Sequence, residues 1–256
     1  MTTLKKITFV VVSTISMNSL AAEFSFDRPG TGFGTGITPV GHLAWEQALP
    51  SATYTEHRDD AGNTLKTTTL KGDMLLRTGL TPSLELQLGW QGPGWTQTKY
   101  KGLKDEDSGL GDVSIGLKKA IDLDDDKLSL AVLAKAQIAT GNSNFSDKED
   151  IYSLGSSLDY KYNDIVNTGI TMNYEVQDGK WAITAIPTIG YNIYGNLNGF
   201  SEFVYRKAES EDYKYGLGTG LIYALSKRTQ LDASVGVDLS GKDRSYNAGL
   251  GFAFLF

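Results

Sequence analysis

Hydrophobic residues recur at every second position through most of this chain. In "LELQLGWQ", Leu84, Leu86, Leu88 and Trp90 share one side, and Glu85, Gln87 and Gln91 share the other. "LSLAVLAKAQIA" puts Leu128, Leu130, Val132, Ala134, Ala136 and Ile138 opposite Ser129, Lys135 and Gln137. "YKYGLGTGLIYAL" and "QLDASVGVDL" follow suit, with glycines, Asp232, Ser234 and Asp238 on the polar side. The last ten residues, "NAGLGFAFLF", set Phe252, Phe254 and Phe256 against Asn247, Gly249, Gly251 and Ala253. Period two is the mark of a β-strand, whose successive side chains point to opposite faces.

The pattern predicts about twelve strands, over 41–57, 65–80, 84–100, 111–121, 128–140, 150–162, 165–176, 180–193, 197–206, 213–225, 229–239 and 245–256. Connectors alternate in length. "TPS", "ND", "YGN" and "SKR" are tight, whereas "RDDAGNT", "KGLKDEDSGL", "GNSNFSDKE" and "KAESED" are longer and charged. "DLDDDK" is long for its set and "QDGK" short for its set. An even strand count with short turns at one end and longer loops at the other predicts an all-β fold, a transmembrane antiparallel β-barrel. A secreted β-sandwich also alternates apolar and polar residues. Three features favour the barrel. Tyr and Trp crowd the strand ends (Trp45, Tyr100, Tyr152, Tyr162, Trp181, Tyr191, Tyr205, Tyr223, Tyr246), as interfacial girdles do. The polar faces are small and glycine-rich, which suits a lumen. A C-terminal strand ending on Phe256 can pair with strand one and remove the free edge, leaving the three Phe facing lipid. Pro187 breaks the pattern inside "WAITAIPTIGYNI", because it cannot donate to a ladder; a bulge or a missing hydrogen bond is expected there.

Residues 1–22 read as a secretory signal peptide. Lys5 and Lys6 precede a short apolar run, Ile7–Met17, and "NSLAA" offers cleavage after Ala21 or Ala22. A membrane anchor is the weaker reading, because the run falls short of the ~20 residues a spanning helix needs. Removing the leader takes the formal charge from −6 to −8, leaving no basic footprint for nucleic acid. The absence of cysteine excludes disulfides, thiolate metal sites and a lipoprotein anchor.

Residues 23–40, rich in Gly, Pro and Thr, have no periodicity. They read either as a flexible periplasmic tail or as a plug inside the barrel mouth. Phe24, Phe26 and Phe33 favour packing, and Asp27 with Arg28, ahead of Pro29, are the expected plug anchors. Glu46, Asp73, Arg77 and Glu85, on the first three strands, are the wall groups within their reach.

"FDRPG", "PVGHLAWE" (Pro39 to Glu46) and "SGLGDVSIGLKKA" (Ser108 to Ala120) resemble the meta-pathway phenol-degradation family of outer-membrane transporters. The resemblance spans most of the mature chain and implies an exported barrel that passes small molecules, apolar or aromatic ones among them. Within it, Gly109-Leu110-Gly111-Asp112 also has a plain reading as loop-to-strand turn chemistry. An aromatic C-terminus resembles the signal read by bacterial barrel-assembly machinery, so that machinery is an expected partner through Phe256, beside outer-membrane lipid and lipopolysaccharide.

Polar-phase positions on the wall form the candidate lumen set: Glu46, Asp73, Arg77, Glu85, Lys118, Lys135, Asp159, Lys161, Glu175, Glu202, Arg206, Lys214, Asp232 and Asp238. With only six Arg in the chain, a lumen lined for polyanions is not expected. Ion pairs bracing the wall are the ordinary role for most of these charges, and a lumen rich in carboxylates favours neutral or cationic solutes. No catalytic, cofactor or metal site is expected. His42 is followed by Leu43-Ala44 and His57 by Arg58-Asp59, so neither forms the His-x-Ser pair of the barrel phospholipases, and no Gly-x-Ser-x-Gly elbow is present. The expected function is an outer-membrane channel for small molecules; the alternative is a structural or adhesive barrel with a blocked lumen.

Overall fold

The computed structural model describes residues 24–142, 144–240 and 244–256. The signal-peptide reading falls on residues outside that range. Among the described residues, fifteen strands occupy twelve positions around one closed antiparallel barrel. Strand β1 (Leu43–Arg58) is continuous, but its neighbour is split into β2 (Thr64–Lys71) and β3 (Met74–Thr81). The third position holds β4 (Leu84–Trp90) and β5 (Pro93–Tyr100), and the fourth β6 (Leu103–Leu110) and β7 (Val113–Ile121). Eight unbroken strands follow: β8 (Leu128–Ile138), β9 (Ile151–Lys161), β10 (Val166–Gln177), β11 (Lys180–Tyr194), β12 (Leu197–Ala208), β13 (Lys214–Ser226), β14 (Thr229–Asp238) and β15 (Arg244–Leu255). Pairing of β15 with β1, from Ala44 opposite Leu255 to Glu56 opposite Arg244, closes the wall.

The splits line up across the wall. Gly72-Asp73, Gln91-Gly92 and Gly111-Asp112 sit side by side, next to a bulge in β1 between Ala48 and Ser51. Backbone bonds stitch the line: Ala48 N–H to Asp73 O (2.9 Å), Gly72 N–H to Pro93 O (3.0 Å), Gln91 N–H to Asp112 O (2.9 Å) and Gly111 N–H to Gly92 O (2.8 Å).

Two expectations need correction. The connector expected over 101–110 is only the turn Lys101-Gly102, both residues in the left-handed region (φ 51° and 79°). Residues 103–110 are strand β6, so the charges from Lys104 to Asp107 stand on a strand and not in a loop. The long connector at that end is 139–150. It lies against β6 through Asn142, whose N–H donates to Leu110 O (2.8 Å) while its Oδ1 accepts the Leu110 N–H (2.6 Å). Asp112 is more than turn chemistry. Its two buried oxygens accept the N–H groups of Gly141 and Asp147 (2.8 Å each), which seats that connector on the wall. At Pro187 the ladder to β12 lapses for Ile186 and Pro187, then resumes in the same register at Thr188. A missing stretch of pairing, without a bulge, is how the wall accommodates proline.

Burial is inverted relative to a water-soluble domain. Leu88 (46%), Leu154 (60%), Val235 (56%) and Leu250 (57%) are exposed on the outside, while Arg77, Lys118, Glu46 and Glu85 inside are at most 1% exposed. Exposed Tyr160, Tyr162, Tyr194 and Tyr223 ring the end that carries the short turns, with Trp45 edge-on to Phe252 at 5.1 Å. Tyr152, Tyr174, Tyr213 and Tyr246 ring the opposite end. Two aromatic rings around an apolar band are what a bilayer selects. Tyr100 stands beyond the girdle. It donates to Asp59 (2.7 Å) in the turn after β1, and with Asn63 holds that carboxyl down at about 2.

Candidate functional site

Residues 24–42 lie inside the barrel at its turn end. They form no strand, so their backbone N–H groups need partners that a ladder would otherwise supply. Wall carboxylates provide several of them. Glu46 accepts the N–H of Asp27 (3.1 Å) and of Arg28 (2.8 Å). Glu202 accepts the Thr31 N–H at 3.0 Å and also its hydroxyl. Glu85 accepts the N–H and the hydroxyl of Thr38, both at 2.6 Å. Within the segment, Asp27 accepts the Gly34 N–H at 2.9 Å. These carboxylates therefore terminate main-chain donors as well as side-chain charges.

Arg77 is the centre of the arrangement. Its guanidinium meets Glu46 at 2.8 Å, Glu85 at 2.9 Å and Asp27 at 3.5 Å. It also donates to the carbonyls of Ser25 (3.0 Å) and Gly36 (3.2 Å), and lies 5.3 Å from the Phe24 ring centroid. Lys118 adds the second cation, 3.2 Å from Glu85 and 3.4 Å from Asp27. Two cations thus share three carboxylates, with every one of these side chains at most 8% exposed. A planar five-donor fork suits this position in a way a lysine would not.

Arg28, joined to Pro29 by a cis peptide bond, reaches the other way. It bridges Asp73 and Asp232, each at 3.2 Å, from opposite sides of the closure strands. Gly251 on β15 makes room: a Cβ there would stand 2.4 Å from the guanidinium. Gln230 donates to the Arg28 carbonyl at 3.1 Å. Arg28→Ala is expected to unseat this part of the segment. Loss of its charge-assisted bonds should speed protease cleavage within 24–34 by about tenfold, the factor given by ~1.4 kcal/mol. Time-resolved limited proteolysis of folded protein in detergent checks it; unchanged cleavage would assign the hold to Arg77 alone.

The other candidate residues fall into three groups. Asp159 accepts the Thr35 hydroxyl (2.9 Å) and so belongs to the same seat. Glu175 and Arg206 pair wall-to-wall at 2.6 Å, higher in the lumen. Lys135 and Glu175 line a cavity of about 510 Å³, and Asp238 lines a smaller one of about 200 Å³ near Glu202. Lys161 and Lys214 pair with Asp164 and Glu211 at the two rims, away from the lumen groups. The larger cavity has the segment from Asp27 to Phe33 as its floor and rises between strands toward the loop end. Sequence phase placed Asp232, Lys118 and Glu202 on the inner face without showing that the segment would reach them. Gln230 and Thr38 were not anticipated. Among the described residues no cluster of metal-ligating side chains occurs.

The fold has known counterparts. The outer membrane channel from Pseudomonas putida F1 is 12% identical, superposes with a TM-score of 0.67, and matches over 85% of this chain and 96% of its own. The translocator domain of the autotransporter NalP from Neisseria meningitidis is 10% identical, with a TM-score of 0.56 over 89% of this chain and 90% of its own. The KdgM porin is 12% identical, with a TM-score of 0.51 over 80% and 98%. No curated protein matches the chain. The family described as MetA-pathway of phenol degradation matches residues 26–256. That match spans both the interior segment and the whole wall, so this outer-membrane β-barrel belongs to the MetA-pathway phenol-degradation family.

Proposed function

We propose that the protein is a channel for small molecules across the outer membrane, with residues 24–42 as the element that narrows its lumen. The supporting observation is the cavity of about 510 Å³ between that segment and the wall. A barrel that served only as a structural or adhesive surface element needs no such space. A twelve-stranded wall is wider than the eight strands that side chains alone can fill, and narrower than a sixteen-stranded porin. The interior segment takes up much of the difference, and family membership supports aromatic cargo. The turn end faces the periplasm, as in barrels of this kind. Export by a signal peptide cleaved after Ala21 or Ala22, lipid and lipopolysaccharide around the girdles, and assembly machinery acting on Phe256 belong to the same reading. Enzyme activity does not: His42 and His57 lie at opposite ends of β1, too far apart to share a reaction centre.

Planar-bilayer recording tests the proposal. Wild-type protein is expected to give small, discrete conductance steps, and a variant lacking residues 24–38 larger ones. Silence from both proteins in the folded, heat-modifiable form would support the blocked barrel instead.

A further inference from the structure

Six charged residues line the larger cavity: Asp27, Arg28, Glu46, Asp73, Lys135 and Glu175. Five of them have an ion-pair partner. Asp27 and Glu46 meet Arg77, Arg28 meets Asp73, and Glu175 meets Arg206. Among the described residues Lys135 makes no ion pair, so a wall that looks acidic by residue count presents one uncompensated cation to the cavity.

The surroundings of Lys135 are built on two levels. At its own height stand Gly116 on β7 and Ser153 on β9, its direct cross-strand partners. The space a side chain at Gly116 would fill is taken by Leu133, whose Cδ1 lies 3.1 Å from where a Cβ would stand, and the Ser153 hydroxyl donates to the Lys135 carbonyl at 3.4 Å. One step toward the floor, Leu133 points the same way along β8 and is paired with Gly155. Gly155 carries the ring of Phe33: a Cβ there would stand 2.7 Å from Phe33 Cε1. Leu133 and Phe33 therefore form an apolar ledge, on the same face as the lysine and about 7 Å below it, the spacing of alternate residues on a strand.

On the reading of the barrel as a solute channel, we infer that Lys135, Leu133 and Phe33 form a lumen subsite for a small amphipathic anion. The ligand carries one carboxylate or similar acidic group on a compact apolar body. The acidic group sits on the ammonium, and the body lies on the ledge. A cation with the same body is repelled, and an acid without the body loses the ledge. This departs from the preference for neutral or cationic solutes that counting carboxylates predicts, because the carboxylates beside the cavity are each held by a cation while Lys135 makes no ion pair among the described residues.

Binding to the full mature protein in detergent, read by isothermal titration calorimetry, tests the subsite without requiring conductance. The probes are benzoate, benzylammonium and acetate. Benzoate is expected to bind at least about tenfold more tightly than either of the others, and Lys135→Gln to remove about tenfold of that affinity, as loss of a charge-assisted bond does. Lys135→Arg should retain it. Among the described residues the Lys135 side chain makes no ion pair, so these variants should keep wild-type heat-modifiable mobility. Equal binding of all three probes, or benzoate binding unchanged in Lys135→Gln, overturns the subsite. Benzoate binding that follows this pattern in a barrel silent in bilayers would sustain the subsite while removing the channel. Conductance with no discrimination among probes would do the opposite.

Discussion

Arg77→Met is expected to produce the largest loss of stability of any single substitution in the lumen. Arg77 is 1% exposed and holds Glu46, Glu85 and Asp27 together with two carbonyls of the interior segment. Removing one partner of a buried ionic network costs about 3–5 kcal/mol, because the remaining charges stay desolvated and unpaired. Here three carboxylates would be left around Lys118 alone. Their repulsion is relieved by letting water in, which requires the segment to leave. Urea unfolding of the folded barrel, followed by tryptophan fluorescence, should show the midpoint falling, and residues 24–38 should become protease-sensitive. Arg77→Lys keeps the charge but cannot reach Glu46 and both oxygens of Glu85 at once, so it should fall between the two. A midpoint unchanged in Arg77→Met would mean that the network is already wet and the segment held elsewhere.

The wall was legible because its chemistry is local. In "LELQLGWQ" alternation alone puts Glu85 and Gln87 inside and Leu88 outside, and the structure buries the first two and exposes the third at 46%. The signal failed where membrane and lumen stop imposing opposite chemistries. Residues 103–110 are polar on both faces because that strand stands beyond the bilayer, so "KDEDSG" reads as loop although it is paired along its whole length with β5. The turn itself is the positive-φ pair Lys101-Gly102. The interior segment was legible in composition but not in contact. A chain without period carries no register, so nothing in "DRPGTGFGTGITP" shows that Thr31 meets Glu202 or Thr38 meets Glu85, partners 171 and 47 residues away. In the sequence Lys135 is one more wall charge, because its significance lies in what its neighbours have already paired with. Asp112 was read as a turn residue for the same reason: its hydrogen-bond partners are 29 and 35 residues further on.

Gly79→Val is expected to displace the same segment by bulk alone, leaving every charge in place. Gly79 faces the lumen on β3, where a Cβ would stand 2.0 Å from Thr38 O and 2.9 Å from the Pro39 carbonyl carbon. Those are backbone atoms and cannot swing aside, so the segment from Thr38 to Val40 must lift. Valine itself suits a strand, and the ladders of β3 to β1 and β4 need not break. Lifting Thr38 removes two donors from Glu85, and overpacking of this kind costs about 1–3 kcal/mol. The effect should therefore be smaller than that of Arg77→Met, and confined to the 35–40 end of the segment. A double-mutant cycle with Thr38→Val separates steric from polar causes. If Gly79→Val acts by pulling Thr38 off Glu85, the two substitutions share one loss and the double variant is less destabilised than their sum. Conductance supplies the second readout. Lifting one end while Arg28 and Asp27 still hold the other should widen the lumen by less than deletion of 24–38 does. A Gly79→Val barrel with wild-type stability and wild-type conductance would show that the close approach of Thr38 to β3 is not what seats the segment.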